Sequence, residues 1–203
     1  MNELDLLAIV TAIVFVILVI GAHIDRPELG TLSTSLSTYF TGRTRAIMFL
    51  AYGLLAVSLV SVGGQIFRAV GQPYRVLIAI FCVLAAICLL PAGVTTRRVV
   101  GDLPDLRSPF AIAVHRYSAI SAFLAIVVAM VIQAISRDLK WQNSALIIIV
   151  PALAGAGAIN FVVLFFSRPG PYYGLIQKSL VLIVVAWIIS VSTQLTLLPP
   201  LVH

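Results

Sequence analysis

Six long apolar stretches separated by short polar segments dominate the pattern of this chain. They cover residues 6–22, 46–67, 76–94, 110–135, 144–166 and 175–198, and none has an acid or a lysine near its middle. A hydrocarbon core roughly 30 Å thick needs about 20 apolar residues in a helix to cross it. The stretches are continuous and lack the alternation of a barrel strand, which favours helices. The sequence therefore predicts an all-α, polytopic membrane bundle of six transmembrane helices, forming a single domain over residues 1–203.

The composition excludes an ordinary soluble protein. Hydrophobic residues make up 61% of the chain and charged residues 10%, and the mean hydropathy is +1.13, far from globular usage. The first five residues include Glu3 and Asp5, whereas a signal peptide begins with a basic segment, so we expect the first stretch to be a retained helix. The cations are scattered over separate loops, and we expect no nucleic-acid partner.

The basic residues predict the orientation of the bundle. Loops one, three and five with their flanks hold nine, namely Arg26, Arg43, Arg45, Arg97, Arg98, Arg107, Arg116, Arg168 and Lys178. Loops two and four hold four, namely Arg68, Arg75, Arg137 and Lys140. Because lysine and arginine are retained on the cytoplasmic side, we expect a multi-pass protein of the cell (inner) membrane with both termini on the non-cytoplasmic side.

Small residues on the fourth and fifth stretches predict helix-packing surfaces. At 100° per residue, one side of the fourth helix carries His115, Ser118, Ala122, Ala125 and Ala129, while Phe123, Leu124 and Val127 cover the side expected to face lipid. The fifth stretch repeats the small-residue pattern around Gly155 and Gly157. Membrane helices associate through close packing and hydrogen bonds, so these faces should contact other helices.

Polar residues that could bind a ligand or a lipid gather at the predicted cytoplasmic end. His23 closes the first helix, His115 opens the fourth, and Asn160 lies in the inner half of the fifth, where it needs a hydrogen-bond partner. The candidate residues are His23, Tyr39, Arg97, Arg98, Asp102, Asp105, Arg107, His115, Arg116 and Asn160. The alternative is that they are ordinary interfacial residues, with arginines reaching the head groups and acids pairing with them.

Three short motifs resemble one known family. They are Leu36-Ser37-Thr38-Tyr39-Phe40-Thr41-Gly42 before the second helix, a polar third loop followed by His115, and Tyr173-Gly174-Leu175 before the sixth helix. They are similar to those of domain of unknown function 998, a family of six-helix prokaryotic membrane proteins. Gln177-Lys178 stands where an acidic-basic pair is expected. The resemblance implies an architecture and gives weight to Tyr39, Gly42 and His115, but it supplies no activity.

Three classes of function remain open. The first is a non-enzymatic accessory or structural subunit that packs against lipids, other membrane subunits or copies of itself. The second is a small transporter or lipid-handling protein with a polar cavity on the cytoplasmic side, where arginines would meet an anionic group. The third is b-type haem bound between His23 and His115.

Catalytic and metal sites have no clear motif in this sequence. Asp102, Asp105 and His115 would be the acid-base groups or metal ligands of an enzyme acting on phospholipid, but two acids around Leu103-Pro104 are typical of a turn. Cys82 and Cys88 lie in one helix without a metal-binding spacing. We therefore predict no catalytic residue, no metal and no resident cofactor apart from the haem alternative.

Overall fold

The structure, a computed structural model, describes residues 3–69, 74–95, 109–136, 144–167 and 170–197. Six long α-helices lie within these residues: α1 Glu3–Asp25, α2 Arg45–Ala69, α3 Tyr74–Val94, α4 Pro109–Ile135, α5 Ser144–Phe166 and α6 Tyr173–Leu197. All six are long and apolar enough to cross a membrane. This confirms the predicted all-α fold with six membrane-spanning helices, and the chain is a multi-pass membrane protein in a lipid environment.

The helices form a closed ring. Each helix packs against the next along the chain, α6 returns to pack against α1, and α2 also contacts α6. The side chains buried most deeply inside this ring include Phe15, Leu59, Met130, Trp187 and Ile188. Because the chain turns back after every helix, α1, α3 and α5 end where α2, α4 and α6 begin. We call this end of the bundle the cap end and the other the far end.

One expectation about helix α4 is wrong. Phe123 and Val127 were expected to face lipid, but they are only 7% and 6% exposed, whereas Leu124 is 47% exposed as expected. Helix α4 packs against α3 on one side and α5 on the other, and its Gln133 also reaches Trp187 of α6. More of its circumference is therefore covered than the single stripe of small residues indicated.

A small void lies inside the ring, between α2, α3, α4 and α6. Its lining is apolar except for one phenol, and consists of Tyr52, Leu55, Leu89, Phe123, Ile126, Val181 and Val184. The space holds no more than about one water molecule. It is too small to bind a ligand or to form a solute path.

Candidate functional site: the cap

Residues 26–44, which connect α1 to α2, fold into a compact unit that we call the cap. The segment contains two short 3₁₀ helices, Leu36–Phe40 and Gly42–Thr44. Leu36, Tyr39 and Phe40 are at most 2% exposed, and Thr44 is fully buried. The Thr44 hydroxyl donates to the Tyr39 carbonyl oxygen at 2.6 Å. The second half of the cap thus contributes buried side chains to the core of the protein.

An aromatic stack joins the cap to α1 and α6. The rings of Tyr39 and His23 are stacked, with centroids 4.2 Å apart. The Lys178 ammonium lies 5.4 Å from the centroid of the Tyr39 ring and donates to the Thr31 carbonyl oxygen. The Tyr39 hydroxyl donates to the Leu29 carbonyl oxygen at 3.2 Å. Burial raises the pKa of Tyr39, so the phenol is neutral and available as a donor.

The backbone of the cap is docked directly onto the start of α6. The Leu175 amide donates to the Leu32 carbonyl oxygen at 2.8 Å, and the Leu36 amide donates to the side-chain oxygen of Gln177 at 2.8 Å. A methyl group added at Gly174 would lie 2.3 Å from the Thr34 carbonyl oxygen. Glycine is therefore required where α6 approaches the cap.

Phe40 fixes the other side of the cap to α2 and α3. Its ring makes edge-to-face contacts with Phe49 and Tyr52, at centroid distances of 5.3 and 4.7 Å. A methyl group added at Gly93 of α3 would lie 3.2 Å from this ring. The aromatic pairs add stabilisation beyond the area they bury, so the cap contacts α1, α2, α3 and α6 together.

Two arginines tie the cap to itself and to α1. Arg43 donates to the Asp25 carboxylate at 2.8 Å and also to the Asp25 carbonyl oxygen. Arg26 pairs with the Glu28 carboxylate and donates to the Thr41 carbonyl oxygen at 3.0 Å. The hydrogen bond from Arg26 holds the pKa of Glu28 below its ordinary value. Exposed ion pairs of this kind contribute little to the free energy of unfolding. They therefore favour one orientation of the cap but add little to its stability.

Gly42 makes the turn between the two short helices. Its φ of +63° lies in the left-handed region, and an added methyl group would meet the Arg26 guanidinium at 3.1 Å. We expect Gly42→Ala to destabilise the protein by about 1 kcal/mol, because side chains other than glycine are strained there. Thermal unfolding in detergent would measure this. Gly42→Asn should recover part of the loss, since asparagine tolerates this conformation, and an alanine variant as stable as the wild type would contradict the assignment.

The structure brings several other predicted residues to the cap end. His115 places Nδ1 2.8 Å from the Ala92 carbonyl oxygen of α3, and Asn160 donates to the Ser179 hydroxyl of α6 at 2.6 Å. Arg116 is exposed. The five candidates of loop three lie outside the described residues, and they are Arg97, Arg98, Asp102, Asp105 and Arg107.

The two histidines share one hydrogen-bonding pattern. His23 places Nδ1 2.7 Å from the Val19 carbonyl oxygen, as His115 does with Ala92. A carbonyl oxygen can only accept, so Nδ1 carries the proton in both rings. His23 Nε2 is buried and has no hydrogen-bond partner among the described residues. The same part of the chain holds no group of three or more metal-ligating side chains.

The predicted helix-packing residues divide into two groups. Ala122, Ala125 and Ala129 are buried in the bundle, and Ser118 is half-buried. Gly157 also faces inward, since a methyl group there would meet Met130 of α4 at 3.3 Å and Ile183 of α6 at 3.6 Å. Gly155 is different: it is exposed, and nothing lies within 4 Å of its added methyl position.

The comparisons with known proteins identify one family model. The model described as a protein of unknown function, DUF998, matches residues 9–194. No curated protein and no solved structure matches the chain. The matched range includes the whole cap and the start of α6, which the structure joins into one unit.

Proposed function

Since the chain belongs to the DUF998 family, whose function is unknown, we propose a role from its own surface: it is a non-catalytic subunit of a membrane assembly. The assembly forms through the outer face of α5, which packs against the same face of a second copy. The observation that carries this proposal is the small patch in the middle of that face, and we define it as Pro151, Ala152, Gly155 and Ala156.

The α5 patch is exposed midway along its helix. Helix α5 contributes less to the interior than the other helices. In its most apolar 18-residue segment 17% is buried, against 28–50% in the corresponding segments of the other helices. All four patch residues are exposed. Ile148 on one side and Ile159 on the other are 72% and 69% exposed. The outer face of α5 is thus a shallow depression between two bulky side chains.

Helix α3 shows what an ordinary lipid-facing surface looks like in this protein. Its outer face presents Ile80, Leu84 and Ile87, which are 53%, 43% and 58% exposed. Bulky side chains hold a neighbouring helix away, whereas small residues spaced four apart, such as Ala152 and Ala156, let two backbones approach closely. In a two-fold dimer the same patch meets itself, so both depressions would meet at one crossing point.

Disulfide cross-linking in membranes would test the interface. The chain would first be freed of its own thiols by Cys82→Ala and Cys88→Ala, and Gly155→Cys then added. Because the two copies of Gly155 would face each other at the crossing point, mild oxidation should give a product of twice the chain mass in high yield.

Leu84→Cys in the same background is the matched control. Leu84 lies midway along α3, as Gly155 does along α5, and it faces outward among bulky residues. Its yield reports random collision in the membrane. A Gly155→Cys yield no higher than that of Leu84→Cys would contradict the proposed self-association.

A further inference from the structure

Three glutamine side chains are buried inside the bundle towards its far end. They are Gln65 of α2, Gln133 of α4 and Gln194 of α6, which are 4%, 0% and 2% exposed. Each lies within the last five residues of its helix, and these helices all run from the cap end to the far end. Three neutral polar side chains are therefore buried towards the far end, among apolar neighbours such as Ile66 and Met130.

These glutamines are only partly satisfied by the protein. The Gln65 amide nitrogen donates to the Leu4 carbonyl oxygen of α1 at 2.7 Å, and the Gln133 side-chain oxygen accepts from the Trp187 indole. The other amide atoms are buried without a hydrogen-bond partner in the described part of the chain, namely Gln65 Oε1, Gln133 Nε2 and both Oε1 and Nε2 of Gln194.

Four such atoms are difficult to reconcile with a dry interior. An amide that loses its hydrogen bonds on leaving water costs roughly 1–3 kcal/mol by protein mutational data, and more in pure hydrocarbon. Buried polar groups that find no partner in the protein are typically satisfied by ordered water, whereas apolar voids stay empty. The void beside Tyr52 has an apolar lining. The glutamine amides are polar and therefore differ from that lining.

We propose that Gln65, Gln133 and Gln194 form a hydrated polar site inside the far half of the bundle. An amide offers both a donor and an acceptor, and the three side chains carry no charge. A neutral group that both donates and accepts hydrogen bonds would satisfy these amide atoms, and this is the occupant we infer. It is water, or the hydroxyl or amide group of a small ligand. This inference is independent of the α5 interface.

Hydroxyl-radical footprinting of the protein in nanodiscs distinguishes these occupants from a dry interior. Radicals formed from internal water oxidise neighbouring side chains that bulk solvent cannot reach. Two fully buried side chains lie beside Gln133. Trp187 donates a hydrogen bond to Gln133, and Met130 precedes Gln133 by about one turn of α4. Met48 is equally buried but lies near the cap end, and it is the control of the same residue type. We expect Trp187 and Met130 to be oxidised several-fold faster than Met48.

Gln194→Leu removes the one glutamine amide of the three whose Oε1 and Nε2 both lack a partner among the described residues. If water fills the site, this variant should lose most of the Trp187 oxidation. A small ligand would instead protect Trp187, and native mass spectrometry would then show a bound mass that Gln194→Leu loses. The proposal would be overturned if Trp187 and Met130 were oxidised no faster than Met48 and native mass spectrometry showed no bound mass.

Discussion

Gly174→Ala should release the cap from the bundle and lower the stability of the whole protein. The added methyl group would lie 2.3, 2.7 and 2.8 Å from the backbone oxygen, carbon and nitrogen of Thr34. Backbone atoms cannot swing aside as a flexible side chain can, so α6 or the cap must shift. The shift would break the hydrogen bonds from Leu175 to Leu32 and from Leu36 to Gln177. Overpacking of this kind costs roughly 1–3 kcal/mol, and we expect the upper end.

Thermal unfolding and trypsin cleavage after Arg45, at the start of α2, would measure this effect. The variant should unfold at a lower temperature and be cut faster than the wild type. Gly53→Ala is the matched control, because nothing lies within 4 Å of its added methyl group and alanine favours a helix by about 1 kcal/mol. If Gly174→Ala behaved like Gly53→Ala, the cap would not be docked as described.

Tyr39→Ala should have the second large effect. The ring is fully buried, stacks on His23 and lies beneath the Lys178 ammonium. Removing a buried aromatic side chain costs about 3 kcal/mol or more. The loss would leave a cavity between α1 and α6, and it should appear in the same unfolding and trypsin assays.

Tyr39→Phe separates the ring from its hydroxyl. It keeps the stack and the contact with Lys178 but removes the hydrogen bond to the Leu29 carbonyl oxygen, which is worth about 1 kcal/mol. We therefore expect a small loss for phenylalanine and a large one for alanine. Equal losses in the two variants would show that the stacked ring does not anchor the cap.

The membrane-spanning helices could be predicted closely from the sequence. The predicted stretches 110–135 and 144–166 differ from α4 and α5 by at most one residue at either end. The reason is physical, since hydrocarbon requires each crossing segment to satisfy its own backbone and to be apolar throughout. That requirement acts locally and is therefore visible in one sequence.

The cap could be predicted only in part. The sequence indicates the motifs around Tyr39 and Gly174. The contact between Thr34 and Gly174, however, joins positions 140 residues apart, and no local pattern encodes it. Gln177 departs from the family pattern, yet its side-chain oxygen accepts a hydrogen bond from the Leu36 amide. A glutamine can accept this bond without bringing a charge beside Lys178.

The sequence also does not predict which face of α5 packs against the bundle and which faces outward. Gly155 and Gly157 are two residues apart and chemically identical, but Gly157 packs against Met130 and Ile183 while Gly155 faces outward. Helix α5 is apolar on all sides between Leu146 and Ile159, so no polar stripe marks the side that faces the bundle. The neighbouring helices decide which glycine is internal.

The disulfide yield of Gly155→Cys relative to Leu84→Cys, measured in membranes, is the most direct test of the central claim that α5 builds an assembly. We expect the Gly155→Cys protein to give a cross-linked product of twice the chain mass in far higher yield than the Leu84→Cys protein. Equal yields from the two positions would contradict it and leave α5 as an ordinary lipid-facing helix.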